Sequence, residues 1–255
     1  MSKRTRFIIT SLILSVGLLG IQYIEGAYKF YAMIGLIILT IILFFVSLKE
    51  GLERNMTLTT LLLPALFTLG VGLFWFLLPA NLFTRIPIVI FFAAGIYVLC
   101  LTMNIYSVSA FKNIALLRAA RGVGFVLTLL TSFLLFDAIF SLRQPVYVTL
   151  PLYFVSSFLL FFQGFWSIEL KKNLTNNLFI ITLISSLVLT ELSALIFFWP
   201  VTVVVGSLFL TSGVYLLLGL GQAKLEERLF PTTLREYFTL GIIVLMGMFF
   251  ATHWG

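Results

Sequence analysis

Apolar residues fill most of this chain, interrupted at regular intervals by short clusters of charge, proline or glycine. Nine runs are long enough to cross a bilayer, the shorter ones with the help of their amphipathic ends: Arg6–Tyr23, Lys29–Leu48, Leu58–Leu78, Ile86–Ser107, Gly122–Leu142, Val148–Ile168, Leu178–Phe198, Val201–Leu220 and Tyr237–Trp254. A hydrocarbon layer offers backbone groups no water, so each span must close its own hydrogen bonds. Runs of this length do so as helices rather than as barrel strands. The pattern predicts an all-α, polytopic integral membrane protein: a bundle of about nine transmembrane helices. It is expected to form a single transmembrane domain over residues 1–255, with no soluble domain.

The punctuation between the runs sets orientation. With a cytoplasmic N-terminus, the inner segments hold thirteen of the sixteen Lys and Arg residues, leaving Lys29, Arg85 and Arg143 outside. With every loop short, that imbalance predicts the N-terminus inside and the C-terminus outside. It suits a multi-pass protein of the cell membrane. Trp199 and Trp254 are then expected at the outer boundary and Trp166 near the inner one, as interfacial aromatics. The basic and apolar start, MSKRTRFIITSLILSVGLLG, resembles a secretory signal, but no small-residue cleavage site follows, so it is expected to remain as the first span.

The inward-running helices start at Lys29 and near Pro87, Pro145 and Pro200, roughly every 57 residues. Two of these starts share R-x-P, Arg85-Ile86-Pro87 and Arg143-Gln144-Pro145. A repeated hairpin would give this period; so would any helix pair of fixed bilayer thickness with proline in its first turn, the simpler explanation. Pro64 and Pro151 fall inside their spans, where each removes a backbone bond. Thr233 and Glu236 form a capping-box signature, predicting that the ninth helix starts there. The sequons at Asn55 and Asn173 fall on the inner side in this topology.

Composition narrows the chemistry. The chain is 61% hydrophobic and 10% charged, far from a soluble domain. Its +7 net charge sits in short loops, where it sets topology, so no nucleic-acid partner is expected. A single aspartate excludes paired-aspartate proteolysis and twin Asp-rich motifs, and a lone His253 near the C-terminus excludes bis-histidine haem ligation, H-E-x-x-H metal sites and a buried Ser–His pair. The single Cys100 leaves no disulfide or CxxC motif. No phosphate-binding loop is present. The expectation is no metal, no cofactor and no enzyme.

Two intramembrane acids remain. Asp137 lies in the fifth span, roughly 9 Å below the level of Arg143, and Glu191 in the seventh, roughly 12 Å from Trp199. An ionisable side chain at that depth costs about 2.5–3.5 kcal/mol even on lenient scales, so it suggests function. If their helices are neighbours, the two carboxyls can share a proton or a cation, with Arg85 and Arg143 as counter-ions. Alternatively, each acid only fastens one helix to the next. Helical phase sets both apart from a polar face: Thr182, Ser186, Thr190 and Ser193 form one stripe of the seventh span, and Glu191 points away from it.

The sixth span has the best polar face, with Tyr153, Ser156, Gln163 and Ser167 all within about 40° of Thr149. Tyr153, Ser156 and Gln163 are candidates to line a path. Ser11, Ser15 and Gln22 in the first span, and Thr202, Gly206 and Gly213 in the eighth, read as packing seams. The loop SAFKNIALLRAARG carries Lys112, Arg118 and Arg121 without an acid, a pattern suited to anionic lipid headgroups. Three functions fit these features: a small permease or proton- or ion-coupled carrier using Asp137 and Glu191; a non-catalytic structural or assembly subunit bound to other membrane proteins or to itself; and, third, a lipid-handling protein.

Overall fold

The computed structural model describes residues 2–26, 28–49, 57–79, 82–109, 115–170 and 175–252. These residues form nine helices and no strand: α1 Lys3–Ile21, α2 Tyr28–Leu48, α3 Thr57–Leu77, α4 Leu82–Ser109, α5 Leu117–Ser141, α6 Val146–Glu169, α7 Asn176–Phe197, α8 Val203–Leu225 and α9 Pro231–Ala251. All nine are long and apolar enough to cross a membrane. Lys112, both sequon asparagines, His253 and Trp254 lie outside the described residues.

Helix ends overrun the apolar runs where the flanking residues favour it. α1 starts at Lys3 because the Ser2 hydroxyl accepts from the Thr5 amide at 3.3 Å, capping a free helix donor. α5 starts at Leu117, five residues before the expected Gly122, and takes in Arg118 and Arg121. Long basic side chains keep their charge in water while their stems stay on apolar surface. α9 corrects the capping-box expectation: Pro231 opens it, two residues ahead of Thr233, with no side-chain cap. Proline suits a first helical position because its fixed φ is already helical and the missing N–H has no partner there anyway.

The described contacts divide the chain into two compact units, residues Met1–Leu127 and Thr128–Gly255. In the first, α1 packs on α2 and α4, α2 on α3, and α3 on α4. Its core stacks Phe67 on Phe92, with ring centroids 6.0 Å apart. Gly95 allows this, since a Cβ there would run into the Phe67 ring. Hydroxyls fasten the helices: Ser11 donates to the Ala93 carbonyl at 2.6 Å, Thr10 meets Ser47 at 2.9 Å, and Thr40 meets Thr68 at 3.2 Å.

In the second unit α6 packs on α7 and α8, α7 packs on α8, and α9 packs on α8. Gly164 and Gly221 let α6 and α8 approach, because Cβ atoms there would meet Leu218 and Phe165. Trp199 donates from Nε1 to the Thr252 hydroxyl at 3.0 Å, setting the end of α9 beside the start of α8. Trp166, three residues before the end of α6, is fully buried, in a core that also holds Phe161 and Phe165. Pro87 lies inside α4, whereas Pro145 precedes α6 as its N-cap. The two R-x-P tripeptides thus occupy different places in their helices.

Candidate functional site

Asp137 is 5% exposed, on a stretch of α5 where Leu134, Leu135, Phe136, Ala138 and Ile139 are buried too. The helix that meets its carboxyl is α8. Gly206 makes the approach possible: a Cβ there would touch the Phe140 ring and Ile196. The next residue, Ser207, then lies with its hydroxyl 3.4 Å from Asp137 Oδ1. The same hydroxyl is 2.5 Å from the Val203 carbonyl, one turn back along α8. One hydroxyl carries one proton, so it serves one of these two acceptors at a time, and the shorter contact is the Val203 carbonyl.

Tyr153 of α6 is the second neighbour. Its ring lies 5.4 Å from that of Phe136, its hydroxyl donates to the Phe136 carbonyl at 3.4 Å, and it is within electrostatic reach of Asp137. Tyr153 also lines a cleft of about 230 Å³ at the α5–α6 turn. Arg143, Gln144, Thr149 and Ser193 supply the rest of its polar lining, and Ile139, Phe140 and Phe197 the apolar part. The turn itself presents the arginine. Arg143 has φ 47°, a left-handed conformation that a non-glycine residue adopts at a cost of about 1–3 kcal/mol. That conformation reverses the chain between α5 and α6 within four residues, Leu142–Pro145. Among the described residues no acid pairs with Arg143.

Asp137 and Glu191 face different surroundings. Glu191 is exposed, while the buried face of α7 carries Leu178, Thr182, Ser185, Ser186, Leu189, Ser193 and Ile196. Ser193 reaches the cleft from that inner face, and Glu191, two residues earlier, turns outward. Arg85 stacks over Trp75 at 5.3 Å, in the other unit from Asp137. Tyr153, Ser156 and Gln163 are all buried. Ser156 spends its proton on the Leu152 carbonyl of its own helix at 2.7 Å, and Gln163 Oε1 is buried without a partner. Of those three, Tyr153 alone lines the cleft. Arg118 is exposed and Arg121 half-buried.

The seam expected on α8 holds at Gly206 and Gly213, the latter packed by Leu189 and Leu192. Thr202 departs from it: it caps the helix, accepting from the Val205 amide at 3.4 Å. Ser207 was not foreseen. Its signal was its place beside a glycine that marks close approach. Among the described residues no three of His, Cys, Asp and Glu gather where a metal could sit.

The model of one protein family, Protein of unknown function (DUF5656), matches residues 9–251. The chain belongs to this family. The match spans the cleft, Asp137 and Ser207. Comparison with curated proteins and with solved structures returned no match. The chain is a multi-pass membrane protein in contact with the lipid bilayer.

Proposed function

We propose that this protein is a small proton-coupled carrier, with its solute site in the cleft at the α5–α6 turn and its proton site on Asp137. The observation that carries this reading is the oxygen cluster on α5 and α8. Asp137 Oδ1, Ser207 Oγ and the Val203 carbonyl lie in contact with one hydroxyl proton among them. A proton on Asp137 supplies the missing donor, and its loss restores the charge.

Arg143 sets the class of solute as a small anion. Among the described residues it is a cation without an acidic partner, and because the Thr149, Tyr153 and Ser193 hydroxyls already donate to backbone carbonyls, the Arg143 guanidinium and the second N–H of the Gln144 amide are the donors the cleft offers an anion. A cleft of about 230 Å³ holds a small molecule rather than a lipid. An anion on Arg143 adds negative charge six residues along the chain from Asp137. A proton on Asp137 cancels one unit of that charge, so loading with both makes the translocated unit neutral for a monoanion. Tyr153, which lines the cleft and lies within electrostatic reach of Asp137, is the link. Glu191 takes no part in this site.

The test is uptake into proteoliposomes of bilayer-impermeant anions, namely inorganic phosphate, sulfate and short alkyl sulfonates, with and without an alkaline interior. We expect one or more anions to accumulate at least tenfold faster with the pH gradient. Asp137→Asn should lose the response to the gradient and keep anion exchange, and Arg143→Gln should lose both. Uptake no faster than in protein-free liposomes, or gradient-driven uptake that Asp137→Asn leaves unchanged, overturns the proposal.

A further inference from the structure

The cleft at the α5–α6 turn has a charged mouth and a buried floor. Arg143 and Gln144 are exposed, whereas Ile139, Thr149, Tyr153 and Ser193 are buried. Each hydroxyl of the floor has already committed its proton. Thr149 donates to the Gln144 carbonyl at 3.0 Å, Tyr153 to the Phe136 carbonyl at 3.4 Å and Ser193 to the Thr190 carbonyl at 2.7 Å. Lone pairs are what remain on these three oxygens, and lone pairs repel the oxygens of an anion. The Gln144 amide gives one N–H to the Leu142 carbonyl at 3.3 Å. The donors left to a solute are therefore the Arg143 guanidinium and one amide N–H, both at the mouth. The rest of the lining is carbon, from Ile139, Phe140 and Phe197.

We infer that the solute of the proposed carrier is a small organic monoanion, held by its charged head on Arg143 with a short apolar body against Ile139, Phe140 and Phe197, an assignment that rests on that carrier's solute site. Three constraints converge on it. Donors lie at one end of the cleft only, so an anion with oxygens on every side, such as sulfate, would give up water without replacement on most of its surface. An anion with its oxygens at one end meets the guanidinium fork there and buries carbon beyond it. Charge is the second constraint, since one proton on Asp137 offsets one negative charge, and a dianion would leave the other uncompensated within the bilayer. Size is the third. A cleft of about 230 Å³ takes a head and a few carbons but no long acyl chain.

Isothermal titration calorimetry on the full chain in non-ionic detergent, with protein-free micelles as the blank, tests this with methanesulfonate, butanesulfonate, sulfate and inorganic phosphate. Both sulfonates are monoanions at any working pH, so between them chain length changes and charge does not. Each buried methylene raises affinity about fourfold, so butanesulfonate should bind about tenfold or more tighter than methanesulfonate and than either inorganic anion. Arg143→Gln should abolish binding of both sulfonates. Phe197→Ala should remove most of the butanesulfonate advantage and leave methanesulfonate unchanged; if that variant fails to fold, the wild-type series decides. Sulfate or phosphate bound as tightly as butanesulfonate, or no gain with chain length, overturns the inference and leaves an anion carrier standing. Binding of none of the four overturns the solute site and the inference together. Butanesulfonate bound in the expected order but never taken up by proteoliposomes supports the assignment and overturns the carrier.

Discussion

The Ser207 hydroxyl lies 3.4 Å from Asp137 Oδ1 and 2.5 Å from the Val203 carbonyl. The short contact keeps the serine on its own helix, and the long one makes it an incomplete partner for the acid. Ser207→Ala removes that weak contact and leaves Asp137 in place. A hydrogen bond of this kind is worth about 0.5–1.5 kcal/mol, so proton-driven uptake should fall by roughly 2- to 10-fold without being abolished. Initial uptake rates in proteoliposomes read this directly. A loss as complete as that of Asp137→Asn would mean that Ser207 itself carries the proton.

Gln163 separates path from packing on α6. Its Oε1 is buried with no partner, an arrangement that costs stability unless function needs it. Gln163→Met keeps the volume and removes the unsatisfied acceptor. We expect a gain of about 1–2 kcal/mol in resistance to denaturant, with uptake unchanged, because the cleft lining does not include this residue. Loss of uptake would extend the solute path along the helix.

Hydroxyl pairs between helices should contribute little. Thr40 and Thr68 meet at 3.2 Å, yet each is closer to a carbonyl of its own helix, at 2.9 Å, and a hydroxyl's one proton serves one acceptor at a time. A double-mutant cycle of Thr40→Val and Thr68→Val should give a coupling near 0.6 kcal/mol, and below about 1.7. Denaturant unfolding in mixed micelles provides the four values.

Two glycines of the first unit should respond oppositely to alanine. A Cβ at Gly95 would meet the Phe67 ring, which is fully buried and stacked on Phe92. Gly95→Ala should therefore destabilise by about 1–3 kcal/mol. Gly35, inside α2, has open space around its Cβ position, and Gly35→Ala should gain up to about 1 kcal/mol from helix propensity. Melting of the two variants side by side in one detergent checks the sign of each.

Nine spans were legible because hydrophobic length is a direct physical requirement of the bilayer. Their ends were less so. Pro231 displaced the capping box, and basic residues carried α5 five positions further than its apolar run. Helical phase correctly turned Glu191 away from the polar stripe of α7, because that is geometry within a single helix. The cleft was not legible. Its lining comes from a turn and three helices, and it depends on a left-handed Arg143 and a close approach at Gly206. The pairing of Asp137 with Ser207 depends on which helices are neighbours, which no single span encodes.

In this mechanism Asp137 takes up a proton as the cleft takes up an anion. Infrared difference spectroscopy on the reconstituted protein, with and without the anion found to be transported, observes that proton directly. A carboxylic acid C=O band should appear on anion binding, shift in heavy water, and be absent from Asp137→Asn. An anion-induced spectrum in which that band is missing, or persists in Asp137→Asn, would contradict it.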